Sequence, residues 1–289
     1  MKRNQALFAI VGMGLLTPTG AVLAQAAPPT TLELTGVVRD FIERTKNGGH
    51  TDFEVKPANG FGHYIGNLSP TLDEERKPVF VGGGHKVLLQ WKNAAGQPIL
   101  RSLYDVDAGD QLGNWSSYTD KGGIASAESF AQWYRDVPGL NLSQPIALTL
   151  TRSGGTDELP TYTYQNNSFF PIDNQLYGNS GGSPAHNFHF TMELRTKFTY
   201  KAGAGQVFSF YGDDDVWVFI NGQMVIDIGG IHSKVNQIVE LDRLDLTDGQ
   251  TCTLDFFFAE RHRTESNFRI DTSLQLESDT MPTVSALYD

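Results

Sequence analysis

Three consecutive carboxylates, Asp213, Asp214 and Asp215, follow Gly212 directly and stand between the apolar runs 206–211 and 216–220. Adjacent carboxylates repel one another. A hard cation turns that repulsion into binding, because Ca²⁺ takes about six to eight oxygen ligands at roughly 2.3–2.6 Å. In regular strand geometry neighbouring side chains point to opposite faces, so Asp213 and Asp214 can share one ion only if the backbone leaves β geometry there. Gly212 eases that departure. The spacing alone matches neither an EF-hand loop nor a glycine-rich calcium repeat, and a solvated acidic loop ending a strand explains it equally well.

His232, Glu260, Arg261 and His262 carry the residue types of a zinc or acid–base site but lack close H-x-x-x-H spacing. A structural ion pair through Glu260 or Arg261 is the simpler expectation. Ser102, Asp107 and His186 form no recognisable triad, and directly adjacent Asp residues make a poor acid–base pair without a distant partner. No enzyme is expected. The single cysteine, Cys252, reads as a buried strand residue; it cannot close an internal disulfide, and a free thiol or an intermolecular bond are the alternatives.

The elements that must position these groups are strands. The 289 residues include 30 Gly, 18 Phe and 10 Tyr, and 39% are hydrophobic, enough for a sizeable core on pleated surfaces. With 22 basic against 33 acidic residues the net charge is −11, which excludes nucleic acid and anionic membranes as expected partners. Lys2 and Arg3, the apolar stretch 6–16 and Ala24-Gln25-Ala26 read as a secretory signal over 1–26. Its 11 apolar residues are too few to span a bilayer. A secreted protein is expected (extracellular, cell-surface or periplasmic), with one domain over 27–277 and a tail over 278–289.

Apolar runs, with alternation in the first and last of them, predict strands at 32–38, 86–91, 161–164, 206–211, 216–220, 224–228, 251–258 and 268–276, with Asn221-Gly222 as a hairpin turn. One helix is expected over about 126–135, its Phe130, Trp133 and Tyr134 forming a core stripe. Short strands parted by turns read as a β-sandwich.

The run FSFYGDDDVWVFINGQMVID at 208–227, then GGIH at 229–232 and FFAERH at 257–262, resembles the fibro-slime domain, a member of the PA14-like β-sandwich modules. Segments 34–41, 50–54, 133–139 and 169–173 are similar to others in such proteins. The resemblance covers most of 27–277 and is most specific over 187–276. It implies an all-β, PA14-like antiparallel β-sandwich with long loops and a short helix. It also implies that Asp213 and Asp214, joined by a cis peptide, bind Ca²⁺ and through it the hydroxyls of a sugar. Asp215 stands where many relatives carry Gly. A further ligand is expected from the loop 260–267, where Asn267 is the candidate, Ser266 the second choice, and backbone carbonyls complete the shell. Asn167 and Asn187 lack that loop position, and Asn221 belongs to its turn. The expected function is a secreted calcium-dependent carbohydrate-binding or adhesion module whose partner is a glycan or cell-surface polysaccharide. A matrix protein merely stiffened by Ca²⁺ is the alternative, and a glycoside hydrolase ranks last.

Overall fold

The computed structural model describes residues 27–278, so the expected signal at 1–26 and the tail beyond Ser278 lie outside the described residues. The chain lays down β1 (Thr31–Phe41), then makes a long excursion carrying the short β2 (Tyr64–Ile65), β3 (His85–Leu89) and β4 (Asn114–Trp115) and the one-turn helix α1 (Ala127–Phe130). It returns through β5 (Asn141–Gly155), β6 (Pro160–Asn166) and the small pair β7 (Gly181–Gly182) and β8 (Ala185–His186). Then come β9 (Phe190–Thr199), β10 (Val207–Gly212), β11 (Asp215–Ile220), β12 (Gln223–Ile228), β13 (Val235–Glu240), β14 (Thr251–Glu260), β15 (Phe268–Thr272) and β16 (Glu277–Ser278).

The main sheet has 11 strands in the order β12–β11–β14–β9–β1–β5–β6–β15–β10–β13, with β16 beside β9. Rings from strands far apart in that order touch: Phe210 of β10 lies 5.7 Å from Phe256 of β14, and Phe258 of β14 lies 5.3 Å from Phe268 of β15. The sheet is therefore folded into two layers over one core, an antiparallel β-sandwich.

The alternate residues of β11 and β14 are buried too. Trp217, Phe219 and Phe257 face away from the sandwich core and are covered by Phe53, Phe130, Trp133 and Tyr134 from the excursion. Strands buried on both faces read as continuous apolar runs, which is why 216–220 and 256–259 show no alternation. Each such side chain contributes about 1.5–3 kcal/mol through burial, so the excursion is part of the folded unit.

Two local expectations need correction. Ser126 caps α1 in a capping box with Ser129, as the sequence suggests, but regular helix ends at Phe130 instead of Arg135. A single turn has little helical stability of its own; the stripe is held by tertiary contacts, with the Trp133 Nε1–H donating to Asp52 at 3.0 Å. The last strand stops at Thr272, although Leu274 and Leu276 remain buried. The Asn221-Gly222 hairpin is present, with φ of 49° and 76° at the two turn residues. Cys252 is buried in β14 as a free thiol, so an intermolecular disulfide would need that core opened.

A candidate metal and ligand site at the acidic run

Gly212 ends β10 where no side chain fits, since a Cβ there would lie 2.1 Å from the Asn267 carbonyl oxygen. That close approach brings Asp213 against Asn267. The Asp213–Asp214 peptide is cis, as the resemblance implies. Asp213 accepts hydrogen bonds from the Asn267 backbone N–H at 2.6 Å and from its side-chain amide at 2.9 Å. Asp214 accepts from the backbone N–H groups of His232 at 3.0 Å and Arg261 at 3.3 Å.

Asp215 turns the other way. Its two oxygens take the Arg261 guanidinium at 2.6 and 3.0 Å, and Oδ1 also accepts from the Gly230 N–H at 2.5 Å. Arg261, wholly buried, donates further to the Gly122 carbonyl at 2.9 Å and lies over the Trp133 ring at 4.9 Å. Burial pushes the Asp215 carboxyl up and outweighs Arg261, while Asp215 more than offsets the burial of Arg261 and keeps it firmly protonated. The bidentate geometry decides in favour of the ionised pair. The run of three acids thus splits: one is neutralised toward the excursion and two are left facing a cavity.

That cavity, about 320 Å³, is lined by Asp213, Asp214, Phe61, His232, His262 and Thr264 among others. Beside the two aspartates stands Glu260 at the end of β14, 0% exposed, with neither carboxylate oxygen hydrogen-bonded in acceptable geometry. The Ser266 hydroxyl and the His262 amide pull it only weakly toward the ionised form. Burial, and after it the charges of Asp214 and Asp213, push the Glu260 carboxyl well above the usual range. Burial and Asp215 do the same to Asp214, and burial raises Asp213 against its bonds from Asn267. Among the described residues no Lys or Arg forms an ion pair with any of these three acids.

These residues fit a hard cation. Uncompensated buried carboxylates are strongly destabilising, the donors are oxygens, and each Asp oxygen keeps a lone pair free. The Asn267 side chain donates its N–H to Asp213 and Glu265, so ligation needs its amide turned about. Ser266, the second choice, is buried and donates to the Phe169 carbonyl at 2.8 Å. The expected ion pair is realised by Arg261 alone. Glu260 was missed as a site residue, although a charged residue closing the run 256–259 was the available signal.

His232 and His262 do not belong to a converging group of metal-capable atoms among the described residues. His232 is kept neutral, its pKa pushed down to about 3 by burial and by His63, with Nδ1 at the Ser233 carbonyl. Among the described residues the trio of metal-capable atoms converging within 4.8 Å lies elsewhere, at Glu43, Glu54 and His189. That cluster carries its own cations, with Arg263 bonding Glu43 and Lys46 3.6 Å from it, while the His189 and His262 rings approach Glu54 at 2.9 and 3.5 Å; burial pushes the His189 pKa down, toward the neutral ring.

His186 pairs with Asp173 at 2.5 Å instead of Asp107. No G-x-S-x-G nucleophile elbow is expected from the sequence, yet the run 178–182, Gly-Asn-Ser-Gly-Gly, has that spacing. Ser180 sits on a loop leading into β7 and accepts from the Phe188 N–H at 3.2 Å, without the strand-to-helix turn such an elbow needs.

Residues 157–287 match the family described as PA14 domain. Protein psiQ of Dictyostelium discoideum is 45% identical over 165 residues, covering 53% of this chain and 16% of that protein. Protein psiD of the same organism is 45% identical over 167 residues, covering 55% and 32%. The chain therefore spans less than a third of the length of these relatives. Among solved structures, the PA14 domain of the MpAFP antifreeze protein is 14% identical, covering 45% of this chain and 66% of that one, with a TM-score of 0.27. The PA14 match contains β6 to β16 and the whole acid cluster, and it leaves out β1, β5 and the excursion. No helix among the described residues is long and apolar enough to cross a membrane.

Proposed function

We propose that this chain is an exported, Ca²⁺-dependent carbohydrate-binding or adhesion module that holds a glycan without cleaving it. One observation carries the proposal: Asp213, Asp214 and Glu260 are buried together without a paired cation, and the two aspartates line a cavity. The PA14 match over 157–287 and the fibro-slime motifs of the sequence support the same reading.

Asp213 and Asp214 would hold the ion, with Asn267 as third ligand once its amide has turned. Bound Ca²⁺ supplies positive charge and coordination positions for sugar hydroxyls. The backbone N–H groups of Asn267, His232 and Arg261 orient the two carboxylates. Phe61, 43% exposed at the cavity, offers a flat apolar face to a sugar ring.

A glycan array probed in Ca²⁺ and again in chelator tests the proposal. Binding to particular glycans that chelator abolishes is the expected result; binding indifferent to chelator would sink it. The matrix-protein alternative draws on the link from Asp214 through Arg261 to the excursion, by which an ion could merely tie loops together. It predicts a Ca²⁺-raised melting temperature with no glycan bound. Release of reducing ends from polysaccharide would instead favour the hydrolase.

A further inference from the structure

A second cavity, about 640 Å³, adjoins the acid cavity and shares Thr264 and Glu265 with it as common wall. Asn267, which braces Asp213 on one side, lines this second cavity as well. Its floor carries an aromatic platform. Phe170 stacks on His186 with ring centroids 3.9 Å apart and planes within 7°, and Phe188 abuts Phe170 edge-on at 4.9 Å. His186 is fixed from behind by Asp173 at 2.5 Å. Such a stack presents a rigid flat face at low entropic cost, the surface on which the C–H face of a pyranose packs. Around it stand hydrogen-bonding groups suited to hydroxyls: the Asn167 amide, the Ser183 hydroxyl and the exposed Lys234 ammonium, which has no ion pair among the described residues.

Neither cavity alone suits a long glycan. The first is small and offers the single ring of Phe61, and the second holds no carboxylate pair for an ion but has the stacked Phe170–His186 platform. Because they meet at Thr264 and Glu265, a sugar seated over Asp213 and Asp214 directs its next residue into the platform cavity.

Building on the carbohydrate reading above, we infer that the ligand is an oligosaccharide of at least two residues, the second of which packs on the Phe170–His186 platform beside Lys234. Calorimetric titration in excess Ca²⁺ tests this with matched pairs of probes: galactose against lactose, mannose against mannobiose, glucose against cellobiose. In the pair that binds, the disaccharide is held about tenfold tighter than its monosaccharide. Phe170→Ala removes that advantage while the affinities for monosaccharide and for Ca²⁺ stay unchanged, the latter showing that the variant is folded. Lys234→Ala, on an exposed side chain, weakens the disaccharide alone by roughly two- to threefold. Equal affinity within the binding pair, or a loss in both variants that strikes monosaccharide and disaccharide alike, overturns the inference and leaves the calcium-dependent sugar site standing. Failure of every sugar to bind in Ca²⁺ overturns both.

Discussion

Two clusters of acidic side chains lie along one short segment of this chain. Glu260 belongs to one, Arg261 turns toward Asp215, and Arg263 reaches Glu43 in the other. By distance the Glu43–Glu54–His189 cluster is the better metal site, since its atoms already converge within 4.8 Å. By charge it is the worse one. Arg263 and Lys46 stand at its two carboxylates, and convergence is what mutual neutralisation produces. Asp213, Asp214 and Glu260 have no cation paired to them among the described residues: the charges of Lys234 and Arg261 favour the ionised Asp213 and Asp214 but do not outweigh burial. Uncompensated buried charge, more than proximity, marks where an ion is needed.

The contrast is tested most severely at Arg261, which neutralises the third carboxylate of the acidic run. Arg261→Met should leave Asp215 buried and unpaired and destabilise the fold by about 3–5 kcal/mol. In chelator, Glu260→Gln should do the opposite and leave stability equal or higher, since it removes a charge with no partner. Denaturant titration of both variants measures the difference. If Arg261→Met were as stable as wild type, Asp215 would already be protonated and the split within the run would be illusory.

Next in size is the effect of the ion. A cation bound only by the folded state should stabilise it by about 2.7 kcal/mol when free Ca²⁺ is one hundred times its dissociation constant. Asp214→Asn keeps an oxygen but loses the charge, so this gain should largely vanish, while the variant in chelator should melt no lower than chelated wild type. A full Ca²⁺ shift in Asp214→Asn would place the ion elsewhere.

Much of this was legible beforehand. The strands β10 to β12 and β14 and the Asn221-Gly222 turn were read from apolar runs and local chemistry, whereas the choice of Asp213 and Asp214 as the facing pair rested on the resemblance to PA14-like modules. The longest strand, β5, was not, because its partly exposed residues include Ser143, Gln144, Pro145 and Thr149, and its end runs into Gly154-Gly155. Its pairing with β1 along all of Thr31–Phe41 is a long-range fact that no local pattern announces. Glu260 was hidden for the same reason. Its burial depends on Asp213 and Asp214, some 46 positions earlier, arriving beside it.

A smaller effect separates the clusters by pH. Burial raises the carboxyls of Asp213, Asp214 and Glu260, so the folded, metal-free protein holds protons that the unfolded chain has released. Stability in chelator should therefore fall as pH rises above about 4. Asp40, pushed up to about 7 by burial, adds the same sign between its ordinary value of 3.8 and that point. His63, pushed down to about 4 by burial, and His232, at about 3, act oppositely, since the unfolded chain gains their protons below about 6.5. Comparing chelated wild type with Glu260→Gln cancels Asp40 and the histidines. The advantage of the variant should be widest near pH 8 and close toward pH 5; a constant gap would mean that Glu260 does not titrate with folding.

The smallest expected effect concerns the self-neutralised cluster. Glu54 is about half-buried, and although burial acts against it, hydrogen bonds from His189 and Arg263 and the nearby His262 hold its carboxyl below the usual range. Its contribution is present above its ordinary value of 4.5 and is lost as pH falls below that, the reverse of the Glu260 behaviour. Glu54→Gln keeps the shape and an acceptor oxygen for His189, and the cations around Glu43 remain, so the loss at neutral pH should stay within about 1 kcal/mol. Ca²⁺ affinity, followed by calorimetry, should be that of wild type, because no ion is needed where Arg263 and Lys46 already stand. A Glu54→Gln variant that lost Ca²⁺ binding while Asp214→Asn kept it would reverse the comparison, making convergence the true sign of the metal site and the charge-poor cluster merely a pair of protonated acids.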